Sequence, residues 1–241
     1  METKGQIREI IEETHDVKTF VIDLEESINF TAGQYCLVST LTRKGFEDAE
    51  KPFTFVNAPN KRGNSTIELT IKKVGEFTGE MHSLQKGDKL KIQGPYGEEL
   101  NFDESVQDDV IFLSGGSGIT PFISALRYNI ENNLQNKMIL FFSNRTKEDI
   151  IYLEELRKMN KIDKIEVVNT LTKERPSKWE GETGRININM IKRHVSELKN
   201  KLWYICGPPA MVDALNNYLL ELNIDESKIK WEDWQLPGKH D

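Results

Sequence analysis

The sequence contains few cysteines and no long apolar run, and both absences narrow what the protein can be. Only two cysteines, Cys36 and Cys206, occur among its 241 residues, which excludes a four-cysteine iron–sulfur cluster and a cysteine zinc site within this chain. No apolar segment approaches the roughly 18–20 residues that a membrane-spanning helix needs. The first residues, Met1–Gly5, lack the apolar core of a signal peptide. We therefore expect a protein of the reducing cytoplasm, without a membrane span.

Positive charge is outweighed by negative charge. The chain carries 32 lysine and arginine residues against 39 aspartate and glutamate residues, which gives a net charge of −7 and an isoelectric point near 5.3. Because no long basic run occurs either, nucleic acid and an anionic membrane surface are disfavoured as partners. The histidines show no metal-ligand spacing, so no metal site is predicted; they are His15, His82, His194 and His240.

Short runs of β-branched and apolar residues recur between Gly5 and Leu100, separated by turn signals. Val17–Ile22, Gln34–Val38 and Thr66–Ile71 are three of these runs. Their spacing and alternation predict an antiparallel barrel or sandwich. The barrel is favoured, because closure of the sheet removes its edge strands.

From Val110 onward, strand-like runs alternate with helix-like segments. The predicted strands are Val110–Leu113, Met138–Phe142, Ile165–Val168 and Leu202–Ile205, and the predicted helices lie near Phe122–Asn132, Ile150–Met159 and 211–222. Such alternation predicts a parallel sheet covered by helices on both faces. A chain of 241 residues suits two domains, and the polar stretch Asn101–Asp109 is the natural linker between them. We place the first domain at 1–103 and the second at 104–241.

A glycine-rich loop, Ser114–Pro121, follows the predicted strand Val110–Leu113 and leads into a helix. Glycines let backbone N–H groups approach an anion, and a helix N-terminus adds partial positive charge. Thr120 suits the helix cap and Pro121 the first helical position. We interpret the loop as a phosphate-binding device; the alternative is a turn that only joins strand to helix.

Four motifs, in this order, resemble those of the ferredoxin–NADP reductase superfamily, in particular its flavodoxin/ferredoxin reductase-like oxidoreductases. They are Lys51-Pro52-Phe53-Thr54, Gly75-Glu76-Phe77-Thr78, the loop Ser114–Pro121 and Cys206-Gly207-Pro208-Pro209-Ala210-Met211. The resemblance covers nearly the whole chain, and the shared order is more specific than any single motif. It implies a flavin-binding β-barrel followed by an NAD(P)-binding α/β domain.

The first two motifs imply a flavin site. In the family, the aromatic ring of the first motif packs on the flavin, the hydroxyl lies near flavin N5, and a basic residue meets the phosphate. These positions are held by Phe53, Thr54 and Lys51. The lysine ammonium is a single point charge, whereas the family's arginine can form two parallel hydrogen bonds to a phosphate. Thr78 would cap the following helix and contact a second phosphate, which favours FAD over FMN. The resemblance also places against the cofactor Pro52, Ile71, Lys72, Gly75 and Phe77. An ordinary strand and a plain helix cap are the alternatives for these motifs.

The last two motifs imply a site for a pyridine nucleotide. Gly115, Gly116 and Gly118 would hold the pyrophosphate, and Thr120 would lie beside the nicotinamide. In the family, the residue matching Cys206 lies near the point where nicotinamide C4 meets flavin N5. The alternative for this cysteine is a small buried hydrophobic residue. The remaining residues of the predicted nucleotide site are Pro121, Gly207, Pro208 and Met211.

The type of nucleotide depends on the end of the predicted strand Met138–Phe142, where Ser143-Asn144-Arg145 follows without an acid. An acid there would bind a free ribose 2′-hydroxyl, whereas serine and arginine can accept a 2′-phosphate. This favours NADPH over NADH. The alternative is that Arg145 only pairs with Glu148 or Asp149.

The resemblance implies that a hydride passes from nicotinamide C4 to flavin N5, with Thr54 and Cys206 at the reacting centre, and that electrons then pass to an acceptor. A ferredoxin or flavodoxin is the leading acceptor. One alternative is an electron-transfer component of a larger redox system, and another is a non-catalytic flavin- or nucleotide-binding sensor. An aromatic residue near the C-terminus, Trp231 or Trp234, is a candidate to cover the flavin. The lysines that could form a local basic face for the acceptor are Lys72, Lys73, Lys86 and Lys89.

Overall fold

The computed structural model describes residues 1–41 and 49–232, and within these ranges it contains two six-stranded sheets. The strands are β1 (Glu2–Thr14), β2 (Val17–Ile28), β3 (Tyr35–Thr40), β4 (Lys51–Thr54), β5 (Asn64–Lys72), β6 (Lys89–Tyr96), β7 (Asp109–Gly115), β8 (Met138–Asn144), β9 (Ile165–Leu171), β10 (Glu182–Thr183), β11 (Lys201–Cys206) and β12 (Ile229–Trp231). The helices are α1 (Glu76–Ser83), α2 (Thr120–Glu131), α3 (Leu153–Met159), α4 (Ile188–His194) and α5 (Pro209–Glu221). Among the described residues, no helix has the length and apolar character needed to cross a membrane.

The first sheet is antiparallel and closes on itself. Its strands are ordered β4-β3-β6-β1-β2-β5. The outer strands meet where Phe55, directly after β4, forms a bridge with Leu69 of β5. Next to this bridge, the backbone N–H of Val56 donates to the carbonyl of Glu68 at 3.0 Å. The predicted antiparallel barrel is therefore confirmed, and its closure comes directly after the first flavin motif.

The barrel core is filled by alternating residues of its strands. In β5, the side chains of Ile67, Leu69 and Ile71 are completely buried. Phe30 and Phe55 stack inside the barrel with their ring centroids 4.2 Å apart. The period-two pattern that predicted the strands is thus the pattern that fills the core.

The second sheet is parallel, with the order β10-β9-β8-β7-β11-β12. Its central strand β7 buries the continuous apolar run Val110–Leu113, which is typical of a strand covered on both faces. The predicted parallel α/β architecture is confirmed. The chain leaves β7 toward β8 and β9 on one side, whereas β11 and β12 lie on the other. This reversal makes the carboxyl ends of β7 and β11 the place where such sheets bind ligands.

The residues group into two compact units. One consists of Met1–Ser105 and Thr120–Leu134, and the other of Val106–Ile119 and the chain from Gln135 onward. We call them the barrel unit and the sheet unit. Helix α2 belongs to the barrel unit, although the glycine loop before it belongs to the sheet unit. The domain limits 1–103 and 104–241 stay a prediction.

An ion pair at the amino ends of β7 and β11 is expected to make the stability depend on pH. The ammonium of Lys201 lies 2.8 Å from the Asp109 carboxylate, and the Lys201 side chain is only 16% exposed. Burial disfavours ionised Asp109, but Lys201 and the backbone N–H of Lys137 outweigh it, so the pKa of Asp109 lies below its usual value. The stabilisation is therefore complete above the unfolded-state pKa and is lost as the pH falls through the folded-state pKa.

We expect Lys201→Met to lower the free energy of unfolding by about 1–3 kcal/mol at pH 7. The difference from the wild type should shrink as the pH is lowered toward 2, since Asp109 then becomes protonated in both proteins. Urea unfolding at several pH values measures this difference. The control, Arg8→Gln, removes an exposed ion pair with Asp23 and should cost less than about 1 kcal/mol. A loss that stays constant across this pH range would contradict the prediction.

Candidate functional site

The carboxyl ends of β7 and β11 place the glycine loop next to the Cys206 motif. Ser114 and Cys206 are neighbours in the parallel pairing of these strands. A Cβ atom on Gly118 would lie 2.3 Å from the carbonyl oxygen of Cys206, far inside contact distance. Only glycine therefore lets the loop touch the backbone that follows β11. Two motifs that are distant in sequence thus form one structure.

The other glycines of the two motifs have different roles. A Cβ on Gly115 would lie 2.8 Å from Sδ of Met211 and 3.0 Å from Cδ of Pro208, and a Cβ on Gly207 would lie 2.7 Å from Cε of Met211. Gly116 has a φ of +56°, and its Cβ would meet no described atom within 4 Å. The crowded glycines serve packing, whereas Gly116 leaves its backbone open to an anion. This arrangement fits a nucleotide pyrophosphate.

Two buried polar groups at the same edge of the sheet also fit a polar ligand. Ser114 is fully buried at the end of β7, and Asn144 is 5% exposed at the end of the neighbouring strand β8. Among the described residues, neither the Ser114 hydroxyl nor the Nδ2 group of Asn144 has a hydrogen-bond partner. Unsatisfied buried polar groups are rare and costly. Their presence beside the glycine loop supports a nucleotide site.

Of the residues predicted to contact the nucleotide at the end of β8, Arg145 is exposed to solvent. Within residues 1–41 and 49–232, it forms no ion pair. Asp149 instead accepts hydrogen bonds from the backbone N–H and the hydroxyl of Thr146, at 2.9 and 3.0 Å. The alternative explanation of Arg145, a pair with Glu148 or Asp149, is thus not found among the described residues. Its guanidinium is available to a phosphate.

The loop after β9 adds an acid that we did not predict. The carboxylate of Glu174 accepts a hydrogen bond from the backbone N–H of Lys147, and the N–H of Lys173 donates to the carbonyl of Arg145 at 3.0 Å. Glu174 therefore lies beside the tip of β8. The signal that could have found it is the polar stretch after β9, because the carboxyl ends of adjacent parallel strands meet at one edge. Glu174 is a candidate partner for a ribose hydroxyl.

We expect Arg145→Gln to raise the KM for NADPH by about tenfold, which corresponds to about 1.4 kcal/mol. The KM for NADH should stay within about twofold, because only NADPH carries the 2′-phosphate that a guanidinium binds. Steady-state kinetics with both nucleotides measure this split. The control, Arg157→Gln, removes another exposed arginine, which pairs with Glu154 on α3, and should change neither constant. Equal changes for the two nucleotides would argue against this role of Arg145.

The first two motifs lie together in the barrel unit. In β4, Lys51 and Pro52 are exposed, Phe53 is half-buried, and Thr54 is only 5% exposed. The Phe53 ring packs on Phe77 of α1, with ring centroids 6.1 Å apart and planes inclined by 22°. In the part of the chain that the structure describes, Lys51 has no ion-pair partner. An available ammonium next to a half-buried aromatic ring fits a flavin phosphate and ring.

Thr78 does not cap α1 as predicted. Gly75 is the N-cap and Glu76 the first helical residue. The Thr78 hydroxyl accepts hydrogen bonds from the N–H groups of Val74 (2.9 Å) and Gly75 (3.0 Å), and donates to the Gly75 carbonyl at 3.1 Å. The physical reason is that glycine has no side chain to cap with, so threonine reaches back from the first turn. The hydroxyl fixes the loop at the start of α1, where the helix N-terminus offers partial positive charge to a phosphate.

Ile71 and Lys72, at the end of β5, both make polar contacts inside the barrel unit. The Ile71 side chain is buried, and its carbonyl accepts a hydrogen bond from Nε2 of His82 at 2.8 Å. The Lys72 ammonium lies 3.2 Å from the Asp16 carboxylate. Burial opposes ionisation of Asp16, but Lys72 outweighs it and holds the pKa of that carboxyl below its usual value. The positive charge of Lys72, one of the four lysines of the predicted basic face, is thus already balanced by the Asp16 carboxylate.

The remaining predicted residues lie near helix and strand ends. Thr120 is not the cap of α2, as predicted, but its first residue, and Pro121 is the second, because a short 3-10 helix, Gly116–Ile119, leads directly into α2. Thr120 is 9% exposed, and the side chain of Pro121 is buried. Trp231 ends β12 and is 40% exposed, whereas Trp234 lies outside the described residues.

Two family models match the chain in succession. The model described as an oxidoreductase FAD-binding domain matches residues 4–100, and the model described as an oxidoreductase NAD-binding domain matches residues 112–217. The first match spans the barrel strands and α1. The second runs from β7 into α5.

Known proteins are similar over most of the chain. The probable dihydroorotate dehydrogenase B (NAD(+)), electron transfer subunit, of Methanocaldococcus jannaschii is 31% identical over 219 residues, 91% of this chain and 74% of that protein. Sulfhydrogenase 2 subunit gamma of Pyrococcus furiosus is 28% identical over 242 residues, 93% of this chain and 81% of that protein. The crystal structure of a ferredoxin NADP+ reductase from Neisseria gonorrhoeae with bound FAD and NADP shares the fold, with a TM-score of 0.82 at 23% identity over 96% of this chain and 98% of that one.

Proposed function

Because the chain belongs to the ferredoxin–NADP reductase superfamily, we propose that it is the reductase of an electron-transfer system that ends in a protein acceptor. It is an FAD- and NAD(P)H-dependent oxidoreductase. When bound, FAD and the nicotinamide nucleotide would supply the hydride and electron-transfer chemistry; Lys51, Phe53 and Thr78 would hold the flavin, and the glycine loop would hold the nucleotide. The residues of the chain bind and orient them.

The observation that carries this proposal is the contact between the glycine loop and the Cys206 motif. Gly118 can approach the Cys206 carbonyl only because it has no side chain, and Gly116 keeps an open backbone in the same loop. A loop that merely joins strand to helix needs neither property. The contact lies at the reversal point between β7 and β11, where parallel sheets bind nucleotides.

The proposed nucleotide site has separate groups for the two ends of its ligand. Gly116 offers its backbone N–H to the pyrophosphate. Thr120 and Cys206 are the groups proposed beside the nicotinamide. Arg145 is proposed to bind a 2′-phosphate, with Glu174 available to a ribose hydroxyl. This division predicts NADPH and NADH both as ligands, with Arg145 favouring the former.

The proposed flavin site uses the exposed end of β4 and the start of α1. Lys51 would neutralise phosphate charge, and the half-buried ring of Phe53 would pack against the flavin. The first-turn N–H groups of α1 would meet the second phosphate of FAD, which FMN lacks. The nearly buried hydroxyl of Thr54 is the group proposed near flavin N5. Thr54 and Cys206 are therefore the proposed residues at the reacting atoms.

The acceptor is proposed to be a protein redox carrier, with ferredoxin or flavodoxin as the first candidates. A second candidate is a partner subunit that receives electrons within a larger complex. Two relatives favour it, since their names describe an electron transfer subunit and a subunit gamma. The net charge of −7 and the ion pair of Lys72 weaken the case for an acidic free carrier. Gel filtration and reduction assays with candidate carriers distinguish the two.

We also propose that the protein acts in the cytoplasm. Neither Cys36 nor Cys206 forms a disulfide, and both are buried. Burial raises the pKa of the Cys36 thiol, which keeps it protonated and unreactive. Cysteines outside disulfides suit a reducing compartment.

A visible absorption spectrum, taken before and after anaerobic addition of NADPH or NADH, tests the proposed function. We expect the purified protein to show a flavin spectrum that bleaches on addition of nucleotide, and released cofactor to be FAD. A protein that neither binds added flavin nor oxidises NAD(P)H would overturn the proposal. Bleaching without electron transfer to any added carrier, but with transfer to a co-purifying protein, would favour the subunit role.

A further inference from the structure

Helix α2 is attached to the barrel by polar side chains along its length. The Ser124 hydroxyl donates to the carbonyl of Asn57 at 2.9 Å. One turn later, Nη1 of Arg127 donates to the carbonyl of Val56 at 2.9 Å and to the carboxylate of Glu68 at 2.8 Å. All of these residues lie in the barrel unit. The helix is therefore fixed to two strand segments at once.

The segments that Arg127 joins are the ones that close the barrel. Val56 follows β4, which ends at Thr54, and Glu68 lies in β5; the two are also linked by a backbone hydrogen bond of 3.0 Å. The Arg127 side chain is 18% exposed and that of Glu68 is 30% exposed. A largely buried guanidinium with two acceptors has a defined orientation. Arg127 thus contacts the chain at Val56, two residues after Thr54, whose hydroxyl is proposed to lie near flavin N5.

The same face of α2 carries Thr120. Positions 120, 124 and 127 follow the i, i+4, i+7 spacing of one helix face. Thr120 lies two turns, about 10 Å, before Arg127 along a rigid helix. A rotation or shift of α2 at Arg127 is therefore transmitted to Thr120.

We propose that Arg127 is a positioning residue for the reaction. Its hydrogen bonds to Val56 and Glu68 hold α2 in place and so fix Thr120 relative to Thr54. The inference rests on the proposed function, which gives those two threonines their roles beside nicotinamide and flavin. Misplacement of reacting groups by about 1 Å can cost about a hundredfold in rate. Loss of the Arg127 contacts should consequently slow the chemistry without emptying either cofactor site.

The test compares Arg127→Gln, Arg127→Lys and Glu68→Gln with the wild type. Stopped-flow bleaching of the flavin at saturating NADPH gives the reduction rate, and titrations give the dissociation constants of FAD and nucleotide. We expect Arg127→Gln to reduce the rate by about 10- to 100-fold, with both dissociation constants within about threefold. Arg127→Lys should recover much of the rate, because an ammonium still reaches one acceptor.

Two further readouts separate positioning from general stability. The deuterium isotope effect with nucleotide labelled at C4 should increase in Arg127→Gln, since transfer itself becomes slower. The double variant Arg127→Gln/Glu68→Gln should be no slower than Arg127→Gln alone, because both changes act on the same ion pair. Arg8→Gln, which removes an exposed ion pair with Asp23 in the same unit, is the matched control and should reduce at the wild-type rate.

The outcomes that overturn the inference are distinct from failure of the proposed function. Wild-type protein that no nucleotide reduces would refute both. Reduction of Arg127→Gln at the wild-type rate, with the wild type active, would refute the inference alone, and so would a rate loss that merely tracks lost FAD. If Arg127→Gln does not fold, Glu68→Gln carries the same test, because an amide in place of the carboxylate loses the ion pair with Arg127, and an unchanged rate in that variant would refute the inference.

Discussion

Replacing Gly118 by valine should abolish reduction of the flavin by NAD(P)H while FAD stays bound. Even a single Cβ at this position would lie 2.3 Å from the Cys206 carbonyl oxygen and 2.7 Å from the Gly207 backbone nitrogen. Both neighbours are backbone atoms, so neither can move aside as a flexible side chain would. The glycine loop and the Cys206 motif must therefore separate. We expect the bleaching rate at saturating nucleotide to fall by at least about a hundredfold.

The measurement is anaerobic stopped-flow absorbance, with FAD content determined from the released cofactor. Gly79→Ala is the matched control, since its Cβ would meet only the Lys73 side chain, at 3.8 Å. Alanine inside a helix is better than glycine by up to about 1 kcal/mol, so this variant should be slightly more stable and equally active. A Gly118→Val protein that keeps more than a tenth of the wild-type rate would show that the two motifs need not touch.

Replacing Thr78 by valine should weaken FAD binding by about 5- to 30-fold, which corresponds to about 1–2 kcal/mol. Valine keeps the shape but removes the hydroxyl that accepts from the N–H groups of Val74 and Gly75 and donates to the Gly75 carbonyl. Each such bond contributes about 1 kcal/mol, and water replaces part of the loss because the loop is exposed. The start of α1 then loses its fixed geometry.

Quenching of FAD fluorescence by the apoprotein measures this affinity. Thr78→Ser retains the hydroxyl and should bind FAD within about threefold of the wild type. If Thr78→Ser weakens binding as much as Thr78→Val does, keeping the hydroxyl does not preserve the affinity, and this would contradict the prediction. An unchanged affinity in both variants would remove Thr78 from the flavin site.

The fold was predictable because its two halves have different hydrophobic patterns. Ile67, Leu69 and Ile71 alternate inward in an antiparallel barrel, whereas the continuous run Val110–Leu113 is buried on both faces of a parallel sheet. Each pattern follows from how many faces of the strand are covered. The order of the four motifs then indicated the family, and the comparisons support it.

Features that depend on contacts between distant residues were not predictable in the same way. The sequence predicts Thr78 as a helix cap, because it does not show that Gly75 is the N-cap and that Thr78, inside the helix, bonds back to it. Glu174 was missed, since it reaches the tip of β8 from the loop of the next strand. The attachment of α2 by Arg127 was missed as well, because an arginine on a helix is ordinarily a solvated residue. The positions of Thr54 and Cys206 at the reacting atoms stay a prediction.

The order of segments along the chain restricts how this molecule can be divided. The barrel unit resumes at Thr120 after β7 has been contributed to the other unit, so no single cut releases both units whole. A gene fragment that ends at residue 105 would encode the barrel without α2, leaving the carbonyls of Val56 and Asn57 without the helix that donates to them. During synthesis on the ribosome, β7 emerges early but cannot pair with β11 until much later, since Lys201 of β11 lies 92 positions after Asp109 of β7. The proposed nucleotide site at the ends of β7 and β11 is thus among the last parts of the protein to be assembled, and a barrel expressed on its own must extend through α2.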